Sequence, residues 1–464
     1  MKVRFDKKIK TALSEYHAIK LLAGSFALLI VLGAILLWLP FSAKNGSLSF
    51  VDSLFTATSA VCVTGLTVKD MSFFSPLGQG IILALIQFGG LGIMTFASFF
   101  LVLFGQKLAF GNRLIFKDFP IALTRKNIFR VLKHMLFFSL SFELAGAVFL
   151  GVFVFSCSEN SQQIIWTSLF HSVSAFCNAG FSLYSTSLTS MRSSMMLNVI
   201  IIILIIAGGL GFVIYEEVYQ NIKSMFRKRK RTESFSTYTK IVLITTVILI
   251  LIGSIGFFVL EKNNIRETTT VSDMVLVSVF QSVTARTAGF NTIDIASLST
   301  PSILMLIVLM FIGGAPFSCA GGVKVTTFAV IFLVVISSFR KRYGVTCFNR
   351  KISSDVIYKT AVLLFMSIML ILAAVFFIVM FEKGGESFQE AKGAFLEIVF
   401  EVVSAFATVG LSMGDTASYC SSSKYILIVL MYIGRLGPLT LGVLLTARSK
   451  KELYECPETN ILIG

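Results

Sequence analysis

The sequence predicts an all-α membrane protein assembled from four tandem units of helix, half-length helix and helix, and three observations lead there. The 464-residue chain is 55% hydrophobic and only 14% charged, against about 25% charged residues in ordinary soluble domains. Eight apolar stretches reach the roughly 20 residues that a helix needs to cross a hydrocarbon core about 30 Å thick. Between them lie four apolar segments too short to cross, each followed by a small-residue turn containing glycine. A chain with 46 phenylalanines holds more apolar surface than one soluble core hides, which excludes disorder and argues against a soluble enzyme.

The eight spans are read at 18–39, 78–104, 131–156, 195–219, 241–260, 302–339, 356–381 and 424–446. The first is long enough to span and no small-residue cleavage site follows it, so it reads as a membrane helix and not as a leader. The short segments are FVDSLFTATSA (50–60), IIWTSLFHSVSA (164–175), SDMVLVSVFQSVTA (272–285) and AFLEIVFEVVSA (394–405). At 1.5 Å per residue they reach roughly 16–21 Å, enough to enter a membrane and return. The resulting units are 1–104 (with a basic cytoplasmic N-terminus), 105–220, 221–340 and 341–447, followed by a cytoplasmic tail, 448–464.

Charge sets the orientation. With the N-terminus inside, the inner connecting segments carry 29 Lys and Arg and the outer ones nine, as positive-inside topology requires. The net charge of +16 therefore belongs to an inner membrane surface, as does the run Arg227–Arg231, and no nucleic-acid partner is expected. The seven cysteines form no CxxC pair, so neither a zinc site nor a disulfide framework is indicated.

The turns after the short segments read AVCVTGLTV (60–68), AFCNAGFSL (175–183), ARTAGFNTI (285–293) and AFATVGLSM (405–413). Their glycines, Gly65, Gly180, Gly289 and Gly410, are 115, 109 and 121 residues apart. A second mark follows at offsets of 24, 28, 24 and 24: GGLG from Gly89, GGLG from Gly208, GGAP from Gly313 and GRLG from Gly434. Each unit crosses twice, so all four share one orientation and can be related by a pseudo-fourfold axis along the membrane normal. Irregular backbone at membrane depth must be buried or line a cavity, so four such loops on one axis imply a central pore.

The loops Val63-Thr64-Gly65, Asn178-Ala179-Gly180, Thr287-Ala288-Gly289 and Thr408-Val409-Gly410 carry no charge. Backbone carbonyls are hard ligands suited to a dehydrated alkali cation, whereas divalent cations call for acidic rings and anions for basic ones. The C-terminal end of a short helix adds partial negative charge. Potassium is the first choice.

With GGAPFSCAGGVK (313–324), these four loop glycines resemble the Trk/Ktr/HKT superfamily of potassium transporters across nearly the whole chain. The first span begins close to the N-terminus, as in the KtrB-type branch and unlike the longer TrkH-type branch. The resemblance implies a homodimeric subunit of the cell membrane, regulated by a cytosolic KtrA-like ring of nucleotide-binding RCK subunits. Nucleotide would then be read only by that partner, and this chain would hold no cofactor. Plant relatives that favour sodium often have serine at the first loop glycine, so Gly65 fits potassium. Whether sodium activates transport is left open.

The 39 residues 301–339 would make a helix of about 58 Å, nearly twice the membrane core, so something must interrupt them. Gly313, Gly314, Ala315, Pro316, Ser318, Ala320, Gly321 and Gly322 supply the break, because proline removes a donor and glycine favours other conformations. The resemblance implies that this segment is the intramembrane gate and that Arg435 is its gating arginine. A mid-bilayer arginine costs about 2.5–3.5 kcal/mol on insertion scales, so Arg435 should face the pore or a partner and not lipid, as a barrier or as a donor to loop carbonyls. Lys324 reads as snorkelling to the inner water, Arg286 and Glu401 as an ion pair holding the filter, Glu143 as paired to a neighbouring helix, and His171 as a packing residue.

Competing readings are a sodium-coupled transporter of another solute, a Trk/HKT-type cation transporter with poor potassium/sodium discrimination, and a membrane enzyme. Four filter-like glycines suit a bare ion better than a shaped solute. No HExxH, catalytic triad order or paired carboxylates point to an enzyme, and the GGLG marks open no strand–helix dinucleotide unit.

Overall fold

A computed structural model of the chain describes residues 2–44, 46–91, 125–153, 161–226, 235–265, 270–341, 344–387 and 393–437. These are almost wholly helical. The order is α1 (Lys2–Trp38), α2 (Phe50–Val61), α3 (Pro76–Gly90), α4 (Arg125–Phe153), α5 (Ser161–Phe176), α6 (Met195–Leu210) and α7 (Phe212–Phe226). There follow α8 (Thr237–Ile265), α9 (Val271–Thr284), α10 (Thr300–Phe311), α11 (Val325–Phe339), α12 (Ser354–Lys383), α13 (Ala394–Ala407) and α14 (Ser421–Leu436). A two-residue ladder pairing Thr346 with Lys351 and Cys347 with Arg350 interrupts the helices.

The short helices α2, α5, α9 and α13 match the four half-length segments within a few residues. Local chemistry starts two of them: Ser49 accepts from Asp52 N at 3.1 Å and Thr270 from Asp273 N at 3.3 Å. Each of the four short helices buries at least one aromatic side chain completely: Phe55, Phe170, Phe280 and Phe400. The long helices show the opposite. Leu144 and Val148 on α4, Ile252 and Ile255 on α8 and Phe365 and Phe376 on α12 are exposed. A short helix apolar on all sides belongs in a core, and a long one with an exposed apolar flank faces lipid.

Among the described residues, four helices are long and apolar enough to cross a membrane, Lys20–Trp38, Lys133–Val152, Thr237–Asn264 and Ser354–Lys383, or five if one bent pair counts as a span. The chain is a multi-pass membrane protein. The expectation that 195–219 is one uninterrupted span needs correction at α6 and α7, where it is bent by 94°. Gly211, at φ +87°, separates the two helices, and its neighbour Phe212 donates its N–H to Phe317 O instead of continuing the helix. The break expected in 302–339 is present, between α10 and α11. Residues 92–104 of the second span, 438–446 of the eighth, the run 227–231 and the tail 448–464 lie outside the described residues.

Candidate functional site

Each short helix runs out into its glycine turn, and the four turns meet. A methyl group added at Gly65 would come within 2.4 Å of Ala179 O, one at Gly180 within 2.9 Å of Ala288 O, one at Gly289 within 2.4 Å of Val409 O, and one at Gly410 within 2.1 Å of Thr64 O. Each glycine therefore abuts the carbonyl of the next loop in cyclic order, and the fourth returns to the first. All four have positive φ, between +70° and +97°, so close approach and backbone conformation both require glycine.

Composition did not reveal a second left-handed position in each loop. Val63, Asn178, Thr287 and Thr408, two residues before each glycine, have φ of +56°, +59°, +72° and +53°. Asparagine tolerates this region, but for branched Val and Thr it is a true outlier, of the kind that surrounding structure must impose. The repeated pair of positive φ values gives the four loops one backbone course. The hydroxyls of Thr64, Thr287 and Thr408 are buried.

On one side of the glycines a cavity of about 310 Å³ is lined by residues of all four loops, including Gly65, Gly180, Gly289 and Gly410. Asp70 and Asp294 also line it, and among the described residues no lysine or arginine does. Such a mouth concentrates cations.

On the other side stands the break between α10 and α11. Ile312 and Val323 bridge its ends, with Gly313 N donating to Val323 O at 2.8 Å and Val325 N to Gly314 O at 3.0 Å. The segment is pinned by neighbours far away in the chain. Ala315 N donates to Gly209 O at 3.0 Å and Cys319 N to Gly208 O at 3.1 Å. Cys319 Sγ reaches Gly90 O at 2.9 Å, and Tyr238 OH donates to Pro316 O at 3.0 Å. Ser318 Oγ donates to Ala315 O at 2.6 Å and accepts from Ala320 N at 3.2 Å. Gly321 lies against Thr408, and Gly313 against Thr287. Gly322 has φ +63°. The segment thus sits directly against the loop turns of α9 and α13.

The second glycine marks gain a physical role here. A methyl group at Gly208 or Gly434 would fall 1.7 Å from Phe176 O or Phe406 O, at the ends of α5 and α13. These positions let α6 and α14 pass directly under the short helices. Their neighbours also leave carbonyls free for the break segment, as Gly208, Gly209 and Gly90 do.

Arg435 is buried on α14, where Nη1 donates to Cys319 O and Nη2 donates to Gly89 O at 2.6 Å. It ties the break segment to the end of α3. Lys324 does not snorkel: Nζ turns back and donates to Ala320 O at 2.7 Å, because half-buried ammonium finds carbonyls nearer than water. Nor does Arg286 pair with Glu401. Its guanidinium lies against Thr246 O at 3.4 Å and Gly313 O at 3.5 Å, while Glu401 accepts from Ser412 and from Thr416 at 3.1 Å. The two side chains find different partners, Arg286 behind the break segment and Glu401 behind the fourth loop. Glu143 accepts from Gln87 Nε2 on α3 at 2.9 Å and from Ser139 at 2.7 Å, a contact with a neighbouring helix. His171 bonds Thr167 O at 2.8 Å and Ser182 Oγ at 3.1 Å and stacks on Tyr184.

Comparison with known proteins gives the family. The family model described as TrkH, cation transport protein, matches residues 5–453. The Ktr system potassium uptake protein B of Vibrio alginolyticus is 37% identical over 95% of this chain and 93% of its own length. The protein of the same name from Bacillus subtilis is 36% identical over the whole of both chains. The potassium/sodium uptake protein NtpJ of Enterococcus hirae is 35% identical over 99% of each. The crystal structure of the potassium transporter TrkH from Vibrio parahaemolyticus superposes with a TM-score of 0.73 at 20% identity, covering 93% of this chain and 85% of that one, which is a likeness of fold. By sequence across nearly its whole length and by fold, this chain belongs to the TrkH family of membrane cation transport proteins and is not an enzyme.

Proposed function

We propose that the chain is the membrane subunit of a potassium uptake system of the cell membrane, in which K+ passes along the axis where the four loops meet. The observation that carries this reading is the cyclic contact of four uncharged loops, each glycine against the next loop's carbonyl. The ligands are the backbone oxygens of Val63, Thr64 and Gly65, of Asn178, Ala179 and Gly180, of Thr287, Ala288 and Gly289, and of Thr408, Val409 and Gly410. In this reading the helices form four units, 1–104, 105–220, 221–340 and 341–447, each a long helix, a re-entrant helix and a second helix, around a pseudo-fourfold pore. The long helices with exposed apolar flanks and the buried short ones support it.

Carbonyl oxygens held at fixed spacing replace the hydration shell of a large monovalent ion more closely than that of a small one. The mouth beside Asp70 and Asp294 would gather cations, and the segment 313–322 with Arg435 would gate the path. Arg435 acts there both as a positive charge on the segment and as a donor that ties it to α3. The 29 basic residues of the inner segments support cytoplasmic termini. The Ktr system names of two relatives support a multi-component system, and in this reading a homodimer of this chain sits on a cytosolic nucleotide-binding RCK ring.

The test is growth and K+ uptake in cells lacking their own uptake systems, with and without a candidate ring subunit. Rescue at low potassium, stronger with the ring, is expected. Failure in both arms at normal expression would favour a transporter of another solute. A second reading, shared conduction of sodium, rests on the potassium/sodium name of the Enterococcus hirae relative. The same cells separate it by the sodium taken up in competition with potassium.

A further inference from the structure

Each loop is gripped twice by one hydroxyl-bearing residue of the short helix before it. The backbone carbonyls of Ser59, Ser174, Thr284 and Ser404 accept from Thr64 N at 2.8 Å, Ala179 N at 2.7 Å, Ala288 N at 2.9 Å and Val409 N at 2.9 Å. In three units the hydroxyl of that same residue then donates to the carbonyl just after the loop glycine. Ser174 bonds Phe181 O at 2.8 Å, Thr284 bonds Phe290 O at 2.6 Å and Ser404 bonds Leu411 O at 2.7 Å. In the first unit Ser59 Oγ accepts from Gly65 N at 3.0 Å, and Ser404 Oγ does the same for Gly410 N at 3.1 Å. All four residues are fully buried.

We propose that Ser59, Ser174, Thr284 and Ser404 are positioning residues for ion selection, holding each loop beside its glycine and, in the second, third and fourth units, turning the carbonyl that follows the glycine back towards the short helix. The proposal rests on reading the loops as the filter, and it adds where the filter ends. With the carbonyls of Phe181, Phe290 and Leu411 engaged from behind, the oxygens left to face the ion in these three loops are those of the glycine and the residues before it. A hydroxyl is needed because the positive φ at the glycine takes the chain off the helical ladder. No backbone N–H of the short helix then lies opposite the next carbonyl, and a buried carbonyl without a donor is costly. The third unit makes the point independently. Thr284 stands five residues before its glycine, whereas the three serines stand six before theirs. The hydroxyl nevertheless reaches the same carbonyl, so what the fold preserves is the bond and not the chain offset.

The test compares Thr284→Val, which keeps the side-chain shape without its hydroxyl, with Thr284→Ser, which keeps the hydroxyl. The full-length protein is reconstituted in liposomes, and competing K+ and Na+ uptake is measured. Thr284→Val is expected to lower the K+/Na+ ratio about tenfold, as loss of one net hydrogen bond in the filter frame implies. Thr284→Ser should stay within about twofold of the parent, and Ser404→Ala should follow Thr284→Val. An unchanged ratio in Thr284→Val, or equal shifts in Thr284→Val and Thr284→Ser, overturns the proposal. So does loss of folded protein in Thr284→Val, Ser404→Ala and Ser174→Ala alike, which would make the hydroxyls merely structural. Gly289→Ser separates the two levels. If it moves the ratio while the hydroxyl variants do not, only the positioning role fails; if it too has no effect, the filter reading fails with it.

Discussion

At the scale of the residue, the site is a backbone conformation held by four glycines and four left-handed residues before them. Val63 shows what this requires, since an L-residue in the left-handed region costs roughly 1–2 kcal/mol and a branched side chain adds crowding. Such a residue persists because Thr64 N is held by Ser59 O, and because Gly65, at φ +97°, lies against the next loop. A serine at 65 brings a Cβ to 2.4 Å from Ala179 O, and one of the two loops must move. Gly65→Ser is therefore expected to lower potassium over sodium selectivity by about tenfold or more, since a tenfold change needs only about 1.4 kcal/mol. Ion competition in uptake assays reads this directly, and an unaltered ratio at normal expression would refute it.

At the scale of the element, two long apolar stretches do not stay straight. Gly211 ends α6 and lets α7 leave at a steep angle, and the 313–322 segment opens the gap between α10 and α11. The two breaks belong together, because Phe212 N bonds Phe317 O and Tyr238 OH bonds Pro316 O. Arg435 is the clasp with the most consequence. It is buried on α14, and its charged donors join Cys319 O on the segment to Gly89 O on α3. Bonds to charged groups are worth about 1.5–3 kcal/mol each. Arg435→Ala should thus release the segment, remove a positive charge from the path and raise potassium flux about tenfold or more. Equal or lower flux from normally expressed protein would count against the clasp.

At the scale of the whole molecule, polar contacts stitch distant parts of the chain into a closed arrangement. Trp166 Nε1 donates to Gln79 Oε1 at 2.9 Å, and Leu188 N to Asn291 O at 3.0 Å. Lys424 pairs with Asp52 at 3.0 Å across 372 residues, and Tyr432 OH bonds Ala23 O at 2.6 Å. The Lys424–Asp52 pair brings the start of α14 to the start of α2. It is mostly buried, so its loss should cost more than the roughly 0–1 kcal/mol of an exposed pair and less than the about 3–5 kcal/mol of a fully buried one. Asp52→Asn is expected to lower the melting temperature of the detergent-solubilised protein. Exchanging the two residues, Asp52→Lys with Lys424→Asp, should recover most of the loss. A melting temperature unmoved by Asp52→Asn would show that closure rests on apolar packing alone.

Segment lengths and glycine spacing, read from the chain alone, determined the half-length helices, read at 50–60, 164–175, 272–285 and 394–405, the interruption at 313–322 and the glycine turns, because each depends on residues a few places apart. Only the tertiary structure decided the bend at Gly211, the turning back of Lys324, the separation of Arg286 from Glu401 and the partners of Arg435. Those outcomes depend on which carbonyls another helix, up to hundreds of residues away, leaves within reach of a buried side chain. Gly89 and Gly208 mark the boundary between the two. Their spacing is plain in the chain, but their work, admitting a neighbour's backbone and offering carbonyls to a distant donor, exists only once the helices have packed.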